Sequence, residues 1–73
     1  MERTLDARGL SCPLPLVMAR QALAALAPGD VLVVLATDPE APIDIAALAA
    51  DGDHALETRR EPSHWRLELT KRD

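Results

Sequence analysis

Apolar residues recur along the first half of the chain with the period of a helix. A stripe at spacings of three and four residues comprises Leu16, Ala19, Leu23 and Leu26. Such spacing places all members of the stripe on one side of a helix. We predict that this helix begins at Pro13, with Pro15 also in the first turn, where proline is tolerated. It should end near Ala27, because Pro28-Gly29 cannot continue it.

Four other segments have the pattern of strands. Val31–Leu35 is a run of aliphatic residues between turn signals, which is typical of a central strand buried on both faces. From Trp65 to Thr70 apolar and polar residues alternate, the clearest period of two in the chain. Arg3–Ala7 and Ala55–Arg59 are the other two strand candidates.

A second helix and the order of the elements predict the fold class. Pro42 can open this helix, Ile45, Leu48 and Ala49 form its inward side, and Asp51-Gly52-Asp53 ends it. The order is then βαβαββ. These short elements cannot bury their apolar sides alone, so we predict a two-layer α/β sandwich in which two helices cover one face of a four-stranded mixed sheet. The opposite face of the sheet should be largely polar.

Composition limits the architecture to one small domain. The 73 residues are 48% hydrophobic and 27% charged, which favours a folded chain and a single domain over residues 1–73. A chain of this size has little room for an enclosed cavity, so any chemistry should take place at the surface. The single cysteine, Cys12, excludes an intramolecular disulfide and favours a reducing compartment. With no leader or membrane-spanning pattern, we predict a cytoplasmic protein.

Charge is unevenly distributed along the sequence. The net charge of -4 argues against direct nucleic-acid binding, which normally uses a basic face. Residues 21–58 contain seven acidic side chains and no Lys or Arg, while Arg3, Arg8 and Arg20 bracket Cys12. This pattern fits either an ordinary solvated surface or a polarised surface that orients a protein partner.

Most familiar catalytic motifs do not occur in the sequence. The three glycines lie far apart, so a phosphate-binding loop is not predicted. His54 and His64 lack companions at metal-ligand spacing. Neither a nucleophile elbow nor a pair of catalytic carboxylates is evident. We therefore predict no metal and no organic cofactor.

The remaining candidate for chemistry is Cys12, which precedes Pro13 and Pro15. If a helix begins at Pro13, the sulfur lies at its N-terminus, where the helix dipole and unpaired amides would lower the thiol pKa. Arg8 would add to that effect. The two prolines stiffen the segment and would present the thiol to another protein. The alternative is that Cys12 is a small buried core residue, as free cysteines commonly are.

With this motif, the chain resembles the TusA/SirA-like sulfur-carrier family. The resemblance extends over nearly the whole chain and rests on Leu5–Pro15, Pro28-Gly29-Asp30, Thr37-Asp38-Pro39 and Asp44-Ile45. It implies a two-layer βαβαββ sandwich in which Cys12 accepts sulfane sulfur as a persulfide. The implied donors are cysteine desulfurases or rhodanese-like proteins, and the acceptor is a cysteine of a sulfur-relay partner. Such relays serve tRNA thiolation, molybdenum-cofactor maturation or sulfur metabolism.

Two observations bear on this interpretation. A second thiol would attack a persulfide and expel sulfide, so a lone cysteine suits a carrier. The best-known tRNA-thiolation members have an acidic residue at the position of Leu14, so the pathway stays open. The alternatives are a non-catalytic interaction or regulatory module in which Cys12 is structural, and a thiol-redox or selenium-handling protein that uses the same residue.

Overall fold

Two helices cover one face of a four-stranded mixed sheet, as predicted. The computed structural model describes residues 1–72. The elements are β1 (Glu2–Ala7), α1 (Leu14–Ala24), β2 (Val31–Ala36), α2 (Ala41–Asp51), β3 (Ala55–Arg60) and β4 (Trp65–Thr70). The predicted two-layer α/β sandwich with βαβαββ order is therefore confirmed. Within this described part, neither helix is long and apolar enough to cross a membrane.

The strand order places β2 inside the sheet. The order is β1-β2-β4-β3, with β1 parallel to β2 and β4 antiparallel to both β2 and β3. The predicted central position of the aliphatic strand is thus confirmed. Because β1 and β2 run in parallel, the loops that follow them leave the same edge of the sheet. This edge carries the candidate site.

The core lies between the sheet and the helices. Its fully buried members are mostly aliphatic residues of β2 and β4 together with small or branched residues of the helices: Ala7, Ala19, Leu32, Val34, Ala36, Ile45, Leu67 and Leu69. The alternating pattern of β4 places Leu67 and Leu69 on the covered face. On the opposite face Arg66 forms an ion pair with Glu68 at 2.8 Å. Val33 is also fully buried but lies outside the main core cluster. Its register partners on the neighbouring strands are Thr4 of β1 and Glu68 of β4.

Helix α1 is shorter than predicted, because it ends at Ala24 rather than near Ala27. Beyond that point the amides of Ala25 and Leu26 bond to the carbonyls three residues back, at 3.1 Å each. Such bonds tighten the final turn of a helix and satisfy part of its free carbonyls. The start is also one residue later than predicted, with Pro13 as the cap and Leu14 as the first helical residue.

A lysine from the end of the sheet completes the C-terminus of α1. Lys71 Nζ donates to the carbonyl oxygens of Leu23 at 2.9 Å and of Leu26 at 2.6 Å. An ammonium group at this end of a helix interacts favourably with the helix dipole and with the exposed carbonyls. This contact joins the chain after β4 to the helical layer.

Lys71→Met is expected to lower the free energy of unfolding by about 1–2 kcal/mol, because it removes both charge-assisted hydrogen bonds while keeping an apolar stem. Urea unfolding of the purified variant measures the change. Arg72→Met is the matched control, since the Arg72 side chain is largely exposed and its ion pair with Asp53 spans 3.7 Å. Equal unfolding free energies for the two variants would contradict this role of Lys71.

Candidate functional site

The thiol lies in the loop that connects β1 to α1. Cys12 is a free cysteine with an exposed side chain. The peptide bond between Cys12 and Pro13 is cis, and the helix starts immediately afterwards at Leu14. The prediction of a surface thiol beside a helix N-terminus is confirmed, and the alternative of a buried core cysteine is wrong.

The loop that follows β2 holds the thiol loop in place. The amide of Gly9, which has a φ of 82°, donates to Thr37 Oγ1 at 2.9 Å. The amide of Cys12 donates to Asp38 Oδ2 at 2.8 Å. The second oxygen of Asp38 accepts the amide of Glu40, also at 2.8 Å. One carboxylate therefore connects the backbone of the thiol loop to the start of α2.

The sulfur itself contacts a second carboxylate. Cys12 Sγ donates a hydrogen bond to Asp44 Oδ2 at 3.1 Å. Asp44 lies in the first turn of α2, where the helix dipole stabilises a negative charge. An ionised carboxylate only accepts hydrogen bonds, so the proton in this contact belongs to the thiol.

These surroundings raise the pKa of the Cys12 thiol to about 11. The largest cause is the hydrogen bond to Asp44, followed by partial desolvation and then by the negative charges of Asp44, Glu40 and Asp38. All of these favour the neutral thiol over the thiolate. The prediction that the helix N-terminus lowers this pKa is therefore wrong.

The groups expected to stabilise a thiolate are engaged elsewhere. The amide of Leu14 donates to the carbonyl of Ser11 at 2.9 Å, so it does not serve the sulfur. Arg8 donates from Nε to Asp6 Oδ1 and from Nη2 to Asp6 Oδ2, at 2.9 Å each. This ion pair lowers the pKa of Asp6 to about 2. The expectation that Arg8 helps to lower the thiol pKa is wrong, because the charges that act on Cys12 are acidic.

Cys12, Glu40 and Asp44 form the one cluster among residues 1–72 whose donor atoms lie close enough together to hold a metal ion. Cys12 Sγ and carboxylate oxygens of Glu40 and Asp44 lie within 4.8 Å of one another. The set combines one soft and two hard donors at an exposed position. The hydrogen bond already accounts for the close approach of the Cys12 sulfur and the Asp44 oxygen.

Exposed apolar side chains lie on the first turns of α1 and α2, the two helices that flank the site. Leu14 and Val17 of α1 are 49% and 39% exposed, and Ile43 of α2 is 70% exposed. Two depressions of the surface lie elsewhere: one is lined by residues of β1 and α1, the other includes His54 and Lys71. Cys12 lines neither of them.

Asp38→Ala is expected to loosen the thiol loop, because it removes the acceptor for the amides of Cys12 and Glu40. Hydrogen exchange of the Cys12 amide, followed by NMR, should accelerate several-fold, since exchange follows local opening of the hydrogen bond. Asp51→Ala, at the opposite end of α2, should leave it unchanged. Unaltered exchange in Asp38→Ala would contradict the tethering role.

Sequence reasoning located Cys12 but assigned no role to Asp38 or Asp44. A signal for Asp38 was present in the sequence. Two strands joined by a helix in a small sandwich pair in parallel whenever they are neighbours, and the loops after parallel strands meet at one edge. Asp38 lies in the loop after β2 and Cys12 in the loop after β1, so their proximity is a consequence of this topology.

Comparison with known proteins agrees with the fold. The family model described as Sulfurtransferase TusA matches residues 3–71. Sulfur carrier protein TusA of Allochromatium vinosum is 38% identical over 71 residues, which is 96% of this chain and 93% of that protein. The protein of the same name from Pseudomonas fluorescens is 43% identical over 61 residues, or 84% and 74% of the two chains. The crystal structure of a SirA-like protein from Desulfitobacterium hafniense superposes with a TM-score of 0.86 at 23% identity, covering 97% of this chain and 99% of that one.

Proposed function

The chain belongs to the sulfurtransferase TusA family, and from this membership we propose that it is a sulfur carrier whose cargo is a persulfide on Cys12. The observation that carries the proposal is the exposure of the sole cysteine on a loop fixed at both ends by hydrogen bonds. Such a thiol is accessible to the active site of a larger protein and keeps a fixed position until that protein binds.

Loading and delivery require only exchange between sulfur atoms. Cys12 Sγ attacks the outer sulfur of a donor persulfide, a new S–S bond forms at Cys12, and the donor S–S bond breaks. The donor cysteine leaves with the electron pair and takes the proton that Cys12 gives up. Delivery is the same exchange with an acceptor thiol as the attacking group and Cys12 as the leaving group. Neither step needs a metal, an organic cofactor or an external oxidant.

We propose that protein partners dock around Cys12. The exposed apolar residues Leu14, Val17 and Ile43 would supply contact area, and the carboxylates of Asp38 and Glu40 would favour partners with basic side chains nearby. Donors of the cysteine desulfurase or rhodanese-like class, and an acceptor cysteine in a sulfur relay, meet these requirements. A thiol that must stay reduced between rounds fits a cytoplasmic location.

Intact-mass spectrometry tests the proposal. After incubation with a cysteine desulfurase and cysteine, the chain should gain one sulfur atom, and a reductant should remove it. A thiol-redox protein would instead form an intermolecular disulfide without gain of sulfur. A regulatory module would bind a partner and show neither change. Either of these last two outcomes would reject the carrier function.

A further inference from the structure

The contact between Cys12 and Asp44 has a consequence for when the thiol can react. The two residues are 32 positions apart in sequence, and they meet because the loop after β1 lies beside the first turn of α2. Asp44 is half-buried, and its backbone is fixed by the bond from its own amide to the carbonyl of Glu40 at 2.9 Å. The backbone that carries the acceptor carboxylate is thus held in the first turn of α2, and the carboxylate oxygen orients the sulfur through the hydrogen bond.

We propose that Asp44 is a positioning residue that keeps Cys12 protonated and oriented in the free protein, so that the carrier presents a latent thiol. The effect on the thiol proton follows from geometry alone, while its meaning for sulfur transfer rests on the proposed carrier function. Asp44 reaches the sulfur through a direct hydrogen bond, unlike the neighbouring carboxylates.

All charged groups that face the sulfur act in the same direction. Glu40 and Asp38 approach from the loop between β2 and α2, and Asp44 from α2 itself. On the thiol's own loop, Arg8 is paired with Asp6. Within residues 1–72, the charges that act on the sulfur are all carboxylates, so no cation offsets their effect.

The quantitative effect on reactivity is large. A thiol with the pKa of free cysteine is about 3% ionised at pH 7. At the value of about 11 found for Cys12, the thiolate fraction falls to about 0.01%. Because the thiolate is the reactive species in alkylation and oxidation, the free carrier should resist both.

The hydrogen bond also distinguishes the empty carrier from the loaded one. In a persulfide, Sγ is bonded to a second sulfur and has no proton to donate, so the contact with Asp44 in its present form exists only in the empty state. Loading therefore removes the interaction that orients Cys12 toward α2. The outer sulfur is free to point toward a partner.

The test is the pH profile of alkylation by iodoacetamide, which uses neither donor nor persulfide. Wild type should show a midpoint near 11, whereas Asp44→Asn should show a midpoint at least about one unit lower and react about tenfold faster or more at pH 7.5. Asp44→Ser, compatible with the first turn of a helix, is a second variant with the same expected shift. Asp44→Glu keeps the charge and should restore most of the protection.

Asp51→Asn, at the far end of the same helix, is the matched control and should behave as wild type. Circular dichroism verifies that each variant is folded. A wild-type midpoint at or below that of free cysteine, or equal profiles for wild type and the folded Asp44 variants, would overturn the proposal. These outcomes do not depend on sulfur loading, so they leave the carrier function to its own test.

Discussion

Replacing Cys12 with serine is expected to abolish sulfur loading completely and to leave the fold intact. The hydroxyl occupies nearly the same space and can still donate to Asp44, so the loop keeps its contact with α2. Serine cannot form a persulfide, and the chain has no other cysteine. Intact-mass spectrometry after incubation with a cysteine desulfurase and cysteine measures the effect.

The neighbouring residue provides the control for this variant. Ser11→Ala lies in the same loop and removes a hydroxyl without touching the thiol, so it should load as wild type does. Circular dichroism and thermal unfolding should give the same transition for both variants and the parent. Sulfur that still adds to Cys12→Ser would place the cargo elsewhere and reject the assignment.

Ile45→Ala is expected to give the largest loss of stability among the substitutions considered. Ile45 is fully buried between α2 and the sheet, and truncation of such a side chain costs about 2–5 kcal/mol through lost burial and a residual cavity. A domain of this length has a total stability of only about 4–11 kcal/mol. The variant should therefore unfold at a much lower urea concentration.

Ile43→Ala is the matched control, because it makes the same substitution two residues away on the same helix. Ile43 is 70% exposed, so its truncation should change the free energy of unfolding by no more than about 0.5 kcal/mol. Similar losses for both variants would mean that α2 does not pack as described. Because Asp44 precedes Ile45 in the chain, partial loosening of α2 should also weaken the contact with the Cys12 sulfur.

The fold was largely predictable from local patterns. The aliphatic run from Val31 and the alternation from Trp65 to Thr70 locate the two interior strands. A strand buried on both faces is a continuous apolar run, whereas a strand buried on one face alternates apolar and polar residues. The prolines at positions 13 and 42 indicate the helix starts to within one residue, since α1 begins at Leu14 and α2 at Ala41. The end of α1 was less predictable, since Lys71, far away in sequence, completes its last turn.

The electrostatics of the site were not predictable from neighbours in sequence. Reasoning from Arg8 and the helix N-terminus gave a lowered thiol pKa, which is wrong. Arg8 binds a residue two positions away, while the carboxylate that binds the sulfur comes from α2. Pairing of β1 with β2 creates this proximity, and local sequence around Cys12 holds no trace of it.

The proposed persulfide and the proposed latent thiol are compatible in one carrier. A thiol that stays protonated in solution avoids side reactions, and its exposed position still allows a partner to reach it. Persulfide exchange in a complex takes place in an environment that the partner helps to set. The departure from the expected low pKa concerns the free protein, and the proposed exchange still forms and breaks the same S–S bonds.

As the proposed carrier residue, Cys12 must both receive and surrender a sulfur atom. The most direct measurement is the mass of the proteolytic fragment that contains Cys12, taken after loading by a desulfurase, after removal of the donor, and again after addition of an acceptor thiol. We expect one extra sulfur on this fragment before the acceptor is added and none afterwards, with the sulfur recovered on the acceptor. A fragment that never gains sulfur, or one that retains it in the presence of the acceptor, would contradict the carrier function.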